Sequence, residues 1–314
     1  MPPRVLCVVG PTACGKTKLG VLLAQKYHGE VVSVDSMQIY RGMSIGTAAP
    51  TAEEMAGIPH YMVGVADPAE NWSAARFVQA ANQYILDILS RGKLPVLVGG
   101  TGLYLDAILS GRTFAPGSGE GAIRRELYAR LEREGIGPLV EELRRVDPDA
   151  AAKLHPADHK RILRALEVYR ETGKTISQHD RETQSLPAPY DPVFIGLAFR
   201  DREDMREQIN RRVDAMMAAG LPEEVRALAA SGIPSTATAL QAIGYKELLP
   251  ALAGACSMDE AAEEVKLRSR QYAKRQLTWL RRNPSIHWIY WEKGRNFSDA
   301  LQIATEIITA QGLQ

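Results

Sequence analysis

Residues 10–17 read GPTACGKT and follow directly after the apolar run at residues 5–9. A buried strand, a loop with two glycines and a Lys-Thr pair match the pattern G-x-x-x-x-G-K-[ST] of a phosphate-binding loop. Such a loop points backbone N–H groups at an anion, and the N-terminus of the next helix adds partial positive charge. The motif therefore predicts an α/β core that binds phosphate where its first strand ends.

Each residue type in this loop has a chemical reason. Gly10 and Gly15 permit backbone angles and a close approach that a Cβ would block. Lys16 reaches the outer phosphates, and Thr17 offers its hydroxyl to Mg²⁺, the cofactor that we expect. The predicted phosphate-binding residues are Gly10, Pro11, Thr12, Ala13, Cys14, Gly15, Lys16 and Thr17. The motif alone leaves open whether the phosphates belong to a nucleotide or to a diphosphate that departs.

Composition indicates an ordinary globular protein. The 314 residues carry a formal net charge of +1, and 45% of them are hydrophobic. No apolar run approaches the roughly 20 residues of a membrane span. Cys7, Cys14 and Cys256 are isolated in the sequence, which argues against a disulfide framework or a paired-cysteine metal site. We therefore expect a cytoplasmic monomer that does not associate with membranes.

Short apolar runs rich in β-branched residues recur along the chain, at residues 5–9, 31–34, 94–98, 193–199 and 286–291. Segments with a helical period separate them. Continuous rather than alternating hydrophobicity is typical of strands buried on both faces of a parallel sheet. The predicted fold class is thus α/β, with a core like that of P-loop NTPases, a parallel sheet and a mostly helical insertion domain.

Two breaks in this pattern suggest where the insertion begins and ends. Residues 111–121 are rich in Gly, Pro and Ser, and residues 184–192 form a second polar, proline-containing break. The segment between them is charged and helical in period. We predict a core formed by residues 1–115 and 192–314, and a helical insertion domain at residues 116–191.

Polar residues follow two of the predicted strands. Asp35, Ser36, Met37 and Gln38 come after the second strand, and Thr101 follows the third within Gly-Gly-Thr-Gly. In open α/β sheets the carboxyl edge, beside the phosphate loop, is where ligands bind. Asp35 suits a general base or a Mg²⁺ ligand, and it also suits a plain helix cap.

Residues 266–282 carry seven Lys or Arg residues and no acidic residue. Tyr272 and Trp279 lie among them, so a helix here would combine phosphate contacts with aromatic stacking, as RNA binding requires. The alternative is a solvated basic face. Another helical segment holds Arg211 and Arg212, either of which suits a departing phosphate or an ordinary surface position.

The chain resembles the bacterial tRNA dimethylallyltransferases, also called tRNA isopentenyltransferases. The matching segments occur in the family's order and span nearly the whole chain: residues 10–17, 35–50, 98–109, 155–174, 241–248 and 270–282. DSMQIYRGM joined to KRQLTWLRR is far more specific than the phosphate loop. The resemblance implies transfer of the dimethylallyl group from dimethylallyl diphosphate to the exocyclic amine of the adenosine 3′-adjacent to the anticodon in tRNA, with release of diphosphate.

Carried over to this sequence, the resemblance assigns the phosphate loop to the diphosphate of the donor. It implies that Asp35 is the base for the amine, that Thr101 contacts the bridging oxygen, and that Arg212, or its neighbour Arg211, stabilises the departing charge together with Lys16. Thr17 is the implied metal ligand. The implied tRNA partner, through its anticodon stem-loop, contacts the insertion domain and Asp35, Ser36, Met37, Gln38, Thr101, Lys160, Arg161, Ile162, Leu163, Arg164, Gln241, Ala242, Ile243, Gly244, Tyr245, Lys246, Lys274, Arg275, Gln276, Leu277, Thr278, Trp279, Leu280 and Arg281.

Two other classes of protein share parts of this pattern. A small-molecule or nucleotide kinase uses a P-loop on an α/β core, but it needs a pocket for a nucleotide base and has no use for the acid-free stretch at residues 266–282. An RNA-binding NTPase would hydrolyse nucleotide and leave the RNA unmodified. Competition between ATP and dimethylallyl diphosphate distinguishes both classes from the prenyltransferase.

Overall fold

The computed structural model describes residues 1–115, 121–234, 236–292, 294 and 296–313. Strands and helices alternate at both ends of the chain, and helices dominate its middle. In chain order the elements are β1 Arg4–Val9, α1 Lys16–Lys26, β2 Gly29–Val34, α2 Ala52–Met55, β3 His60–Tyr61, α3 Ala74–Ser90, β4 Leu94–Gly99, α4 Gly102–Ser110, α5 Ala122–Glu134, α6 Gly137–Val146, α7 Pro148–Lys153, α8 His159–Thr172, α9 Ile176–Gln184, β5 Asp191–Phe199, α10 Arg202–Ala218, α11 Leu221–Ala230, α12 Tyr245–Leu252, α13 Met258–Leu280, β6 Ile286–Trp291 and α14 Phe297–Ala310.

The strands form one parallel sheet in the order β3-β2-β4-β1-β5-β6. The α/β prediction with a parallel sheet is confirmed, and each of the five apolar runs is a strand. β3 was not predicted, because it has only two residues, His60 and Tyr61, and lies at an edge of the sheet. The phosphate loop leaves β1, which is central, with β4 on one side and β5 on the other.

Burial explains the strand pattern. Every residue of β2 is buried, and so is every residue of β1 after Arg4, so both faces of the sheet are covered. On one face Leu19 and Leu23 of α1 join Ile308 of α14 in a hydrophobic cluster with the central strands. None of the helices in the described part of the chain combines the length and apolar character needed to cross a bilayer.

The chain clusters into two compact units, Met1–Leu109 with Pro189–Gln314, and Ser110–Ala188. The smaller unit contains α5 to α9 around its own core, to which Leu127, Leu143 and Leu166 contribute. Its partly buried ion pairs include Glu142 between Arg130 and Arg170, at 2.7 Å and 2.6 Å. The domain boundary predicted after residue 115 falls at residues 116–120, which lie outside the described residues.

The longest helix, α13, spans 23 residues and begins at a well-formed cap. The Ser257 hydroxyl accepts the backbone N–H of Glu260, whose carboxylate accepts the N–H of Ser257 in return. Ala273, Gln276 and Leu280 are buried, and their spacing of three and four residues places them on one side of the helix. The basic stretch predicted from the sequence thus forms the C-terminal half of a helix with a buried face.

Candidate active site

Two glycines shape the phosphate loop at residues 10–17. A Cβ on Gly10 would lie 2.4 Å from the carbonyl oxygen of Leu197, so the loop leaves β1 where only a hydrogen fits. Gly15 has a φ of 89° and precedes α1, a conformation that costs energy for residues with a side chain. Because α1 begins at Lys16, its first N–H groups point back towards the loop. The local geometry is that of an anion-binding loop.

Two residues distant in sequence, Gln276 and Trp291, form hydrogen bonds to the backbone of this loop. The Gln276 side chain in α13 accepts the backbone N–H of Thr12 at 2.8 Å and donates to the carbonyl oxygen of Gly100 at 3.1 Å. The indole Nε1 of Trp291 in β6 donates to the carbonyl oxygen of Cys14 at 2.7 Å. Both side chains are buried. The loop is therefore held by contacts from the C-terminal third of the chain.

Positive charge accumulates at the loop. Lys16 is half-buried, and its Nζ donates a 3.3 Å hydrogen bond to the carbonyl oxygen of Pro11. Burial lowers the pKa of Lys16; the charge of Arg212 also lowers it, while Cys14 and Asp35 act in the opposite direction. Two neighbouring cations, one of them poorly hydrated, favour a bound anion.

Asp35 follows β2, and its two carboxylate oxygens have different surroundings. Its Oδ1 accepts the backbone N–H groups of Met37 at 2.8 Å and Gln38 at 3.2 Å, which forms a tight turn. This turn leaves Oδ2 outside it. No helix begins at this turn, since the next helix, α2, starts at Ala52, so the helix-cap alternative is wrong, and the role of Asp35 as general base or Mg²⁺ ligand stays a prediction.

A cavity of about 300 Å³ joins these groups. Thr12 and Ala13 of the phosphate loop, Asp35 and Arg212 all line it. Much of the remaining wall is apolar and comes from three helices and a connecting segment: Ile209, Val213, Met216, Leu221, Ile243 and Val265. A phosphate-binding loop, a carboxylate, an arginine and an apolar wall therefore share one space.

The two candidate arginines occupy different surroundings. Arg212 lines the cavity and influences the pKa of Lys16. Arg211 points to the other side of α10, where it is 72% exposed and pairs with Glu207 at 3.0 Å. Sequence reasoning missed the apolar residues beside Arg212, although their spacing at 209, 213 and 216 is a helical stripe that could have revealed them.

Thr101 directly precedes α4. Its Oγ1 is buried. Tyr272, which lines the cavity, faces Thr101, and burial raises the pKa of the Tyr272 phenol to about 12. The Thr101 hydroxyl can also donate a hydrogen bond to a ligand oxygen.

A second, smaller cavity of about 20 Å³ adjoins the first turn of α1. Thr17, Ser33 and Asp35 line it, and their oxygens are of the hard type that Mg²⁺ prefers. No group of three or more His, Cys, Asp or Glu side chains among the described residues is arranged to hold a metal. The donor set fits an ion that takes most of its ligands from water and phosphate.

The segments predicted to bind tRNA contain both exposed and buried side chains. In α13, Lys274, Arg275, Thr278 and Arg281 are exposed, whereas Gln276 and Leu280 are buried and Leu277 and Trp279 are partly buried. The Trp279 indole donates to Asp106 at 2.9 Å. The exposed cations thus form one face of the helix.

The other two segments show the same division. In α8, Lys160 and Arg161 are exposed, Ile162 and Leu163 lie in the core, and Arg164 pairs with the buried Glu167 at 2.9 Å. Around the start of α12, the side chains fall into three classes of exposure: Gln241 and Lys246 are exposed, Ile243 is partly buried, and Ala242, Gly244 and Tyr245 are buried.

Family models and known relatives match this chain over most of its length, and they indicate the same family. A family model described as IPP transferase matches residues 38–283, and one described as isopentenyl transferase matches residues 3–63. The chain is 44% identical over 300 residues to the tRNA dimethylallyltransferase of Caldanaerobacter subterraneus subsp. tengcongensis, covering 95% of each chain. It is 46% identical over 301 residues to the tRNA dimethylallyltransferase of Geobacter sulfurreducens, covering 96% of each.

A solved structure agrees as well. The crystal structure of tRNA delta(2)-isopentenylpyrophosphate transferase from Staphylococcus epidermidis matches with a TM-score of 0.72 and 41% identity, over 99% of this chain and 100% of that one. The resemblance inferred from the sequence motifs is confirmed. The chain belongs to the tRNA dimethylallyltransferase family of tRNA-modifying transferases.

Proposed function

We propose that this chain transfers the dimethylallyl group of dimethylallyl diphosphate to the exocyclic amine of the adenosine 3′-adjacent to the anticodon in tRNA. The observation that carries the proposal is the cavity in which Thr12 and Ala13 of the phosphate loop meet Asp35, Arg212 and an apolar wall. A kinase site also needs a phosphate loop. An apolar wall beside it suits a branched five-carbon group next to a diphosphate.

The reaction depends mainly on stabilising the charge of the diphosphate leaving group. As the adenine nitrogen bonds to the allylic carbon, the carbon–oxygen bond to diphosphate breaks and the diphosphate keeps the electron pair. Lys16, Arg212 and the backbone N–H groups at the start of α1 would stabilise that developing charge. Thr101 would donate its buried hydroxyl to the bridging oxygen.

The amine must lose a proton as it is alkylated. We propose that Asp35 accepts this proton on Oδ2, because Oδ1 is occupied by the turn to Met37 and Gln38. The same turn fixes the carboxylate, which favours orientation of the amine towards the donor. The adenosine must leave its stack to reach the cavity, at a cost of a few kcal/mol.

Mg²⁺ fits the smaller cavity. Thr17 would hold it through its hydroxyl, with Asp35 nearby, and the diphosphate would supply further oxygens. When bound, the ion would neutralise negative charge on the diphosphate.

The tRNA would bind through exposed cations. Lys274, Arg275 and Arg281 on α13 offer a phosphate-tracking face, and Lys160 and Arg161 offer another on the smaller unit. We propose that the insertion at residues 116–191 contacts the anticodon stem-loop with these α8 side chains. Such contacts would supply the energy that offsets extrusion of the adenosine.

The test is mass spectrometry of a tRNA anticodon stem-loop incubated with the enzyme, dimethylallyl diphosphate and Mg²⁺. The expected product is the stem-loop with one dimethylallyl group on the loop adenosine. Replacing the donor with ATP should leave the RNA unchanged and the ATP intact. Phosphorylated RNA, or ATP hydrolysis stimulated by RNA without modification, would instead identify a kinase or an RNA-dependent NTPase. Lys16→Ala is the matched control, because it removes a cation from the phosphate site.

A further inference from the structure

Gln276 lies within the most basic part of α13 but faces the opposite way from the cations around it. Only 5% of its side chain is exposed. Lys274, Arg275, Thr278 and Arg281 are exposed on the same helix. A tRNA bound to this exposed face would not meet the Gln276 amide, so its polar side chain needs another explanation.

That explanation lies in its hydrogen bonds. The Gln276 carbonyl oxygen accepts the Thr12 N–H at 2.8 Å, and its amide nitrogen donates to the Gly100 carbonyl oxygen at 3.1 Å. One planar amide thereby joins three parts of the chain: the phosphate loop, the loop after β4, and α13. Neither Thr12 nor Gly100 is close to Gln276 in sequence.

The packing around this amide is tight. A Cβ on Gly100 would lie 2.3 Å from the Gln276 amide nitrogen and 2.9 Å from the carbonyl oxygen of Gly10. One turn earlier on α13, Ala273 is fully buried and packs with Ala13. Ala13 has a φ of 65°, a strained conformation that persists only where neighbours enforce it. The buried face of α13 therefore holds the phosphate loop in its conformation.

We propose that Gln276 is a positioning residue for the prenyl donor, and not a contact for tRNA. It acts through the Thr12 N–H and the Gly100 carbonyl, which set the loop so that its remaining N–H groups converge on the diphosphate. The proposal rests on the donor assignment made above, but it depends on bonds internal to the protein. It separates the two faces of α13: the exposed face serves tRNA, and the buried face serves the donor.

Steady-state kinetics of Gln276→Met test this role. Methionine keeps the length of the side chain and removes both hydrogen bonds. Two buried backbone groups are then left without partners, and we expect the KM for dimethylallyl diphosphate to rise about tenfold while the KM for tRNA changes less than about twofold. Gln302→Met is the matched control, since Gln302 is exposed on α14, where its amide bonds to Glu306 of the same helix, and it should change neither constant.

A fall in tRNA affinity with an unchanged donor KM would overturn the proposal and make Gln276 an RNA contact. Unchanged values of both constants would overturn it too. If Gln276→Met does not fold, Gln276→Asn gives the same test: it adds no charge but shortens the side chain by one methylene, so its amide cannot reach both Thr12 and Gly100, and the donor KM should again rise. Prenylation of the stem-loop by the wild-type enzyme is scored separately, so failure of the proposed function is distinguishable from failure of this inference.

Discussion

The carboxylate of Glu224 in α11 accepts a hydrogen bond from the buried phenol of Tyr245 in α12. The same carboxylate accepts the backbone N–H groups of Ile45 at 2.9 Å and Gly46 at 3.0 Å. A Cβ on Gly46 would lie 2.4 Å from the Tyr245 ring, so the segment that contains Ile45 and Gly46 packs directly against this ring. Because Gly46 lines the larger cavity, this acid and phenol fix part of the cavity wall.

Replacing Glu224 with Ala should destabilise the fold. Three donors, the Tyr245 hydroxyl and two backbone N–H groups, lose their acceptor, and we expect the free energy of unfolding to fall by about 2–3 kcal/mol. Urea denaturation measures this change. The control is Glu223→Ala, whose exposed carboxylate pairs only loosely with Arg226, at 3.6 Å. Equal effects of the two substitutions would contradict the anchoring role.

Asp35→Asn tests the general base. Asparagine retains an oxygen that can accept the Met37 and Gln38 N–H groups, so the turn should survive while the basic oxygen is lost. We expect single-turnover prenyl transfer to slow by about 10²–10⁴-fold, with tRNA affinity changed less than about twofold. Asp67→Asn is the control, because Asp67 makes a similar turn with Ala69 at the surface. Wild-type rates in Asp35→Asn would eliminate the proposed base.

The exposed face of α13 predicts a salt-dependent contribution to tRNA binding. Lys274→Ala combined with Arg281→Ala removes two exposed cations and leaves Arg275, which lines the cavity, in place. The affinity for tRNA should fall, and the slope of log K against log salt should become shallower by about 1–2. Binding titrations at several salt concentrations measure both. Arg268→Ala on the same helix is the control, since Arg268 already pairs with Glu264 at 2.7 Å.

An ion cluster around the buried Glu30 carboxylate, away from the cavity, makes the stability of the fold depend on pH. The Glu30 carboxylate pairs with Arg91 at 2.6 Å and with Lys93 at 2.5 Å and accepts a bond from Tyr61. The hydrogen bonds from Arg91, with smaller contributions from Lys93 and Tyr61, lower the pKa of Glu30 to about 2.

The lowered pKa sets the pH range of the effect. Stabilisation by Glu30 is complete above its ordinary pKa of 4.5 and is lost as the pH falls towards about 2. The difference in Tm between the wild type and Glu30→Gln should therefore shrink steadily across that interval. Thermal unfolding at several pH values measures it, and Glu53→Gln, at an exposed position, provides the control. A constant difference would show that the charge of Glu30 does not contribute.

The strands of the core were predictable because their signal is local. The apolar runs at residues 5–9 and 31–34 record burial on both faces, which any parallel sheet requires. β3 was missed because its two residues, His60 and Tyr61, are too few to show a period, and it lies at an edge of the sheet. Local periodicity predicts elements, but it does not predict which elements meet.

The same limit applies to the candidate site. The phosphate loop is contiguous, so its motif pointed directly to Lys16 and Thr17. The burial of the polar groups of Gln276 and Tyr245 was not foreseeable, because each is satisfied by a hydrogen-bond partner distant in sequence. From the sequence alone, a polar residue within a basic helix is predicted to lie at the surface, because its hydrogen-bond partners are not known.

The phosphate loop leaves the ribosome long before Gln276 and Trp291, which hold it and follow their partners in the loop by 264 and 277 residues. A nascent chain that ends before them contains the whole motif without the contacts that shape it, and closing so long a loop is a late event in folding. We expect donor binding to appear only after Gln276 and Trp291 have been synthesised, so a shorter nascent chain carrying the intact motif would not sequester the prenyl donor.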